Sequence, residues 1–307
     1  MLSTVSSGFL FLLLCLVLVP MIMPAAQAHG DAADTLHLKE VELIGGLQNA
    51  ASMAYRGDGE LIIAESGSDV ISAYQISFDQ ADQSVSDGDE QTEAEAADDA
   101  VSEEHTLPDL DKPESLSLIL DTELLVVSSG SQQVHWLDYD FGYVRSLAVP
   151  SWALGEMIFS PSDVTTNEIG EVYVLDRRNR TVFHFNANGS YLQHFQLSDI
   201  EKPMRLVYFD ESLFVTDQDS GSVIVMTDTG RELARIGTFP ELERVRVEAR
   251  RIWILSGSVL HLFDISGRHL GNWQIDNTGK KLQDIAVIED RVFLLTSGSL
   301  YYSEFSK

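Results

Sequence analysis

The sequence predicts an all-β fold, a six-bladed β-propeller, on three observations. A short apolar run recurs six times, each copy is embedded in the same strand-and-turn grammar, and the two chain ends are complementary. The runs occupy residues 61–64, 124–127, 172–175, 213–216, 252–255 and 292–295. A small polar or acidic residue follows each: Glu65, Ser128, Asp176, Asp217, Ser256 and Thr296. Their starts lie 63, 48, 41, 39 and 40 residues apart, and the last three spacings match the length of a propeller blade. The sixth unit stops after its third strand, near residues 300–305, while residues 36–44 form a spare strand before the first unit. Placed beside each other they close the ring and leave no unpaired edge between its ends.

The elements follow in order. Residues 8–19 are almost wholly Leu, Val and Phe, and an Ala-Gln-Ala sequence ends at Ala28. That pattern reads as a signal peptide over 1–28 and an extracytoplasmic (periplasmic or secreted) protein. The competing reading is an uncleaved anchor over 8–28, since no Lys or Arg precedes Lys39. Cys15 is the only cysteine, so a cleaved chain has no disulfide, thiol nucleophile or cysteine metal site. From 29 to 307 a single propeller domain is expected. Residues 79–111 hold thirteen acidic residues and no Lys or Arg, a composition that buries too little apolar surface to order itself. This stretch reads as a mobile acidic insertion, and it accounts for the long first spacing. A longer loop at 151–160 accounts for the second. Within each unit, turns such as 167–170, 186–189, 227–230 and 264–267 separate β-rich segments, giving four short strands per repeat.

The third unit carries the most specific pattern: Pro161-Ser-Asp-Val164, Val172-Tyr-Val174, Asp176, Asn179, Val182, Phe185 and Gly189. It resembles an NHL repeat, and Pro203, the 214–217 run and Gly230 echo it in the fourth unit. The resemblance implies a platform for protein, RNA or small-ligand binding, on an architecture shared with lactonases and lyases. A lactonase of the gluconolactonase type would place a metal-binding Glu on the first inner strand, where this chain has Asn49-Ala-Ala-Ser52.

Superposing the six units aligns Ser52, Ser115, Asp163, Arg205, Arg244 and Asp284 at the start of the innermost strands, around one mouth of the central channel. Arg205 and Arg244 lie side by side there and suit a carboxylate or phosphate. The opposing reading is a salt-bridged plug, with Asp163 and Asp284 neutralising them. Asp176 and Asp217 read as turn-binding carboxylates. His135 and His261 fall on corresponding third strands, with His184 offset to the other face. Arg56-Gly57-Asp58 reads as turn chemistry and not as an adhesion tripeptide. No catalytic residue, metal ligand or cofactor is assigned.

The net charge of −28, from 48 acidic and 20 basic residues, argues against nucleic acid and anionic membrane surfaces as partners. The sequence therefore points to an exported binding propeller for a protein or small anionic ligand. The alternative is a divergent hydrolase or lyase acting at the channel mouth.

Overall fold

The computed structural model describes residues 34–36, 42–57, 59–76, 102–107, 109–275, 280–288 and 291–304. Six four-stranded units surround a common channel, so the six-bladed all-β propeller is observed. Blade 1 comprises Ala50–Arg56, Glu60–Glu65, Val70–Gln75 and Ser102–His105. Blade 2 comprises Pro113–Ile119, Glu123–Ser128, Gln133–Leu137 and Tyr143–Ser146. Blade 3 is built from Asp163–Thr166, Val172–Asp176, Thr181–Phe185 and Tyr191–Gln196. Blade 4 is built from Pro203–Phe209, Ser212–Asp217, Ser222–Thr227 and Glu232–Ile236. Blade 5 contains Leu242–Glu248, Arg251–Ser256, Val259–Asp264 and His269–Ile275. Blade 6 contains Leu282–Ile288, Arg291–Thr296 and Ser299–Glu304, completed by Glu42–Gly45 from the amino end.

The expected closing strand is therefore present with different bounds. Glu42–Gly45 pairs antiparallel with the last strand, and Asp34–Leu36 adds a fifth, parallel strand to the rim of blade 5. Ile44 is buried in the cluster where blades 6 and 1 meet, which fixes the closing register. The leader at 1–28 lies outside the described residues, as does 79–101 of the acidic insertion. The remainder of the 79–111 stretch differs from expectation. Ser102–His105 pairs with Val70–Gln75 as the outer strand of blade 1, because blade 1 needs a fourth strand and His105 stacks on Phe141 at 4.1 Å. The loop at 151–160 contains a four-residue helix, Ser151–Leu154. No helix among the described residues is long and apolar enough to cross a membrane.

There is no single central core. Six apolar clusters sit at the six blade interfaces. This explains why the recurring runs are continuously apolar: both faces of each second strand are covered. In blade 3, Val172 and Val174 pack toward blade 2, while Tyr173 and Leu175 pack toward blade 4. Such nearest-neighbour burial makes each blade's stability depend on the two beside it.

Polar clasps tie each of the first four blades to its own entry loop. The residue ending each of the first four runs accepts the N–H of the loop entering its own blade. Glu65 Oε2 accepts from Gln48 N (2.7 Å), Ser128 Oγ from Asp111 N (2.8 Å), Asp176 Oδ2 from Ser160 N (2.8 Å) and Asp217 Oδ1 from Lys202 N (3.0 Å). Asp176 also accepts from Asn179, and Asp217 from Asp219 and Ser220, in the following turns. Some hairpins close on glycine where left-handed backbone is required, while those at 120–121, 210–211 and 249–250 adopt it with other residues. Gly230 has φ +88°, and a Cβ there would stand 2.3 Å from the Phe195 ring.

Removing a clasp leaves partly buried N–H donors unpaired, so Asp176→Ala and Asp217→Ala are each expected to lower stability by about 1–2 kcal/mol. Urea denaturation of both variants checks this; Asp→Asn, which retains one acceptor oxygen, should recover part of the loss.

Candidate functional site

The six aligned residues do meet around the channel. In four blades a β-bulge falls immediately before the aligned position, at Ala50/Ser52, Pro113/Ser115, Leu242/Arg244 and Leu282/Asp284, and in blade 4 the irregularity between Pro203 and Leu206 contains Arg205 itself. In blade 3 the inner strand begins at Asp163 itself. A bulge inserts an unpaired residue and re-aims the side chain that follows, which helps gather these side chains around the channel.

The ring has a repeating logic. Its side-chain oxygens clasp the next blade's backbone: Asp284 accepts from Met53 N (3.0 Å), Ser52 from Leu116 N (3.4 Å) and Asp163 from Leu206 N (2.7 Å). Ser52 Oγ also donates to Asp284 (3.1 Å), and Ser115 Oγ donates to Asp163. Arginines cannot accept a hydrogen bond, so Arg205 and Arg244 break this pattern.

They do so differently. Arg244 is 3% exposed; its Nε lies 2.8 Å from Asp284 Oδ1 as an ion contact without hydrogen-bond geometry, and Nη2 donates to the carbonyls of Ala51 and Gln283 at 3.2 Å each. Arg246, two residues along the same strand face, grips Asp284 through Nε (3.2 Å) and Nη2 (2.6 Å) and also reaches the Ile285 and Met53 carbonyls. Burial alone would raise the Asp284 carboxyl, but the two guanidiniums hold it below the ordinary aspartate value. Burial, then the neighbouring Arg205 charge, weaken Arg244's hold on its proton. For Arg246 the burial effect is outweighed by Asp284 and then Glu248, so its proton is held more tightly than usual. This half of the ring is a closed ionic plug.

Arg205 is left open by comparison. Its nearest carboxylate oxygen, Asp163 Oδ1, is 4.0 Å from Nη1, and its buried Nε has no hydrogen-bond partner. Arg205 lines two cavities. One, of about 210 Å³ at the mouth, also involves Asn49, Ser66, Glu114, Arg177 and Gln283. Within it, Arg177 Nη2 lies 3.7 Å from Glu114. The other, of about 340 Å³, lies deeper in the channel and includes Tyr55, Ser117, Thr165, Arg246 and Glu248 among apolar walls such as Leu118 and Val207. Sequence alignment missed Arg246 and Glu248, although strand alternation from Arg244 marks both. It also missed Arg177 and Glu114, which belong to loop or strand-edge positions with no repeated signature.

The remaining candidates are placed as follows. His135 pairs opposite Val126 and His261 opposite Ile254, the third residues of their runs, whereas His184 faces Tyr173, a second residue. His184 Nε2 meets Glu171 at 3.2 Å. Among the described residues, no three His, Cys, Asp or Glu side chains converge as a metal site requires. Arg56 is only 2% exposed, with its guanidinium 4.2 Å from the Tyr139 ring, so it is not displayed for adhesion.

No family model matches the chain, and no curated protein matches it. Solved structures match the fold. A catalytically inactive virginiamycin B lyase from Staphylococcus aureus with quinupristin is 10% identical, covering 88% of this chain and 99% of that one at a TM-score of 0.61. A gluconolactonase from Xanthomonas campestris is 13% identical, covering 92% and 99% at 0.62. A chain of the nidogen/laminin complex is 13% identical, covering 73% and 80% at 0.52. At these identities the likeness is one of architecture.

Two outcomes are expected. Asp284→Ala strands the buried Arg244 guanidinium and the partly buried Arg246 and should cost about 3–5 kcal/mol, read by denaturant unfolding, with Asp163→Ala costing less. His261 is pushed down to about 4, first by burial and then by His269. Its fold therefore favours the neutral ring, and the associated stability is lost as pH falls from the unfolded-chain value near 6.5 toward 4. His261→Phe should flatten the melting-temperature profile across that window.

Proposed function

We propose that this propeller is an exported binding module that takes a small carboxylate at the channel mouth, with Arg205 as its principal anchor. The observation that carries the reading is the contrast within the ring: Arg244 and Arg246 each lie within 2.8 Å of Asp284 and donate to backbone carbonyls, whereas the Arg205 guanidinium has only a 4.0 Å contact with Asp163. A guanidinium held in place with unused donors is pre-organised for a planar, two-oxygen anion. Arg177, from the neighbouring blade 3, supplies a second cation in the mouth cavity that is already partly balanced by Glu114.

A singly charged carboxylate fits this balance better than a phosphate dianion, which would meet Asp163 and Glu114 at close range. Binding is favoured over catalysis because both ring hydroxyls, Ser52 and Ser115, already donate to ring carboxylates. The lyase and gluconolactonase architectures nearby make a hydrolase or lyase at this mouth the competing reading.

Titration calorimetry with acetate, benzoate, gluconate and inorganic phosphate tests the proposal. Arg205→Ala should weaken carboxylate binding at least tenfold and lower the unligated melting temperature by only a few degrees, because Arg205 has little to lose structurally. Arg177→Ala should weaken it by a smaller factor. Unchanged binding in Arg205→Ala removes the reading, and a stoichiometric divalent metal in the purified protein would favour the enzyme.

A further inference from the structure

The deeper cavity holds a group that the mouth does not use. Glu248 ends the inner strand of blade 5, in alternation with Arg244 and Arg246, and lines the same 340 Å³ space as Arg205. The charged groups around this space form a short inventory. Arg244 and Arg246 come from its own strand, Asp284 from blade 6, Asp163 from blade 3 and Arg205 from blade 4. Tyr55 of blade 1 is the other titratable group in the lining, and blade 2 contributes only Ser115 and Ser117 as polar side chains.

Three guanidiniums therefore stand against two aspartates and Glu248. With Glu248 ionised the channel is neutral; with Glu248 protonated it carries one net positive charge. An arriving anion makes an ionised channel net negative, inside a body whose overall charge is already −28. In a partly buried channel, uncompensated charge is costly. Of these groups, Glu248 is the one that can absorb the change. Arginines stay protonated, Asp284 is clamped by two of them, and Asp163 accepts bonds from Leu206 N and Ser115 Oγ. Glu248 has one backbone partner, the Val287 N–H, and the Arg246 charge.

We propose that anion binding in this channel is coupled to proton uptake by Glu248, so that the protein takes up a small carboxylate together with one proton. The inference rests on the carboxylate reading above. It is consistent with the state of the side chain itself: burial pushes Glu248 up to about 7, against the opposing pull of Arg246. An added negative charge raises it further, so the carboxylate binds the protonated channel more tightly. The sign follows from linkage: affinity is highest below pH 7 and declines as pH rises through that value. The limiting slope is one decade per pH unit, for uptake of one proton.

Benzoate is a suitable probe because its ring matches the apolar walls and its single carboxylate matches Arg205. Calorimetry between pH 6 and 8 should show affinity falling three- to tenfold or more with rising pH. Repeating it at pH 7.5 in HEPES and Tris, whose ionisation enthalpies differ, should report net uptake of up to about three-quarters of a proton, the remainder of Glu248 being protonated beforehand. Glu248→Gln, a neutral isostere of the protonated acid, should bind benzoate with nearly the same affinity at pH 6 and pH 8 and show no buffer dependence. The buffer comparison in the unaltered protein stands even if that variant fails to fold. Benzoate binding that is lost in Arg205→Ala yet independent of pH and buffer would overturn the proton coupling and leave the anion site intact. A pH dependence retained in Glu248→Gln would overturn it equally. Absence of benzoate binding at every pH would remove the anion site and this inference with it.

Discussion

The structure depends on one buried carboxylate. Asp284 lies on the last blade and is fully buried, yet it binds the first blade through Met53 N and Ser52 Oγ. It also fixes the fifth blade through Arg244 and Arg246. Three blades thus share one anion at the point where the chain must close on itself. Around it, Ile44 and Leu47 from the amino end pack with Leu295 and Leu300. Apolar burial supplies the driving force for closure, but it is non-directional. Asp284 supplies the angular definition that holds the inner strands in one ring.

Once that carboxylate is saturated, the ring cannot be uniform. Ring oxygens on blades 1, 3 and 6 clasp the next blade's N–H, and Arg244 is compensated for failing to do so by its bonds to two carbonyls and Asp284. Arg205 breaks the same structural rule without matching compensation, as Asp163 is committed to Leu206 N and Ser115. A position that violates the local logic of a fold without an evident structural gain is where function is expected. The two arginines aligned in sequence are thus unlike in kind: one is built into the closure and the other stands on the open side of it.

Much of the architecture was legible in the sequence because a propeller repeats one burial problem six times. Runs such as Val172–Leu175 are apolar at every position since both faces are covered, and that pattern needs no knowledge of long-range contacts. The complementary chain ends followed from strand counting. The outer strand of blade 1 was hidden because Ser-Glu-Glu-His at 102–105 has the composition of the acidic stretch before it; its strand character comes from pairing with Val70–Gln75 and stacking on Phe141. For the site, the aligned ring was readable but its division was not. The bulges that aim the ring have no glycine or other fixed residue to announce them. The partition of Asp284 between Arg244 and Arg246 depends on distances across the channel. Arg246 and Glu248 lie within reach of simple alternation along the strand from Arg244.

The choice of arginine over lysine at the ring is a further consequence of this geometry. Arg205 and Arg244 are adjacent cations in a desolvated space, and Arg205 already loosens the Arg244 proton. A lysine in either place would face the same burial and the same repulsion from a much lower starting affinity for its proton, and would tend to become neutral. A neutral amine at position 244 would leave Asp284 under-compensated and loosen the closure. At position 205 it would remove the charge on which anion recognition relies. Arginine keeps both positions cationic, and so moves the burden of charge adjustment to the one nearby acid with few partners, Glu248. On this view the plug, the open guanidinium and the titrating glutamate are three parts of one electrostatic arrangement, fixed by the requirement that six inner strands converge on a narrow channel.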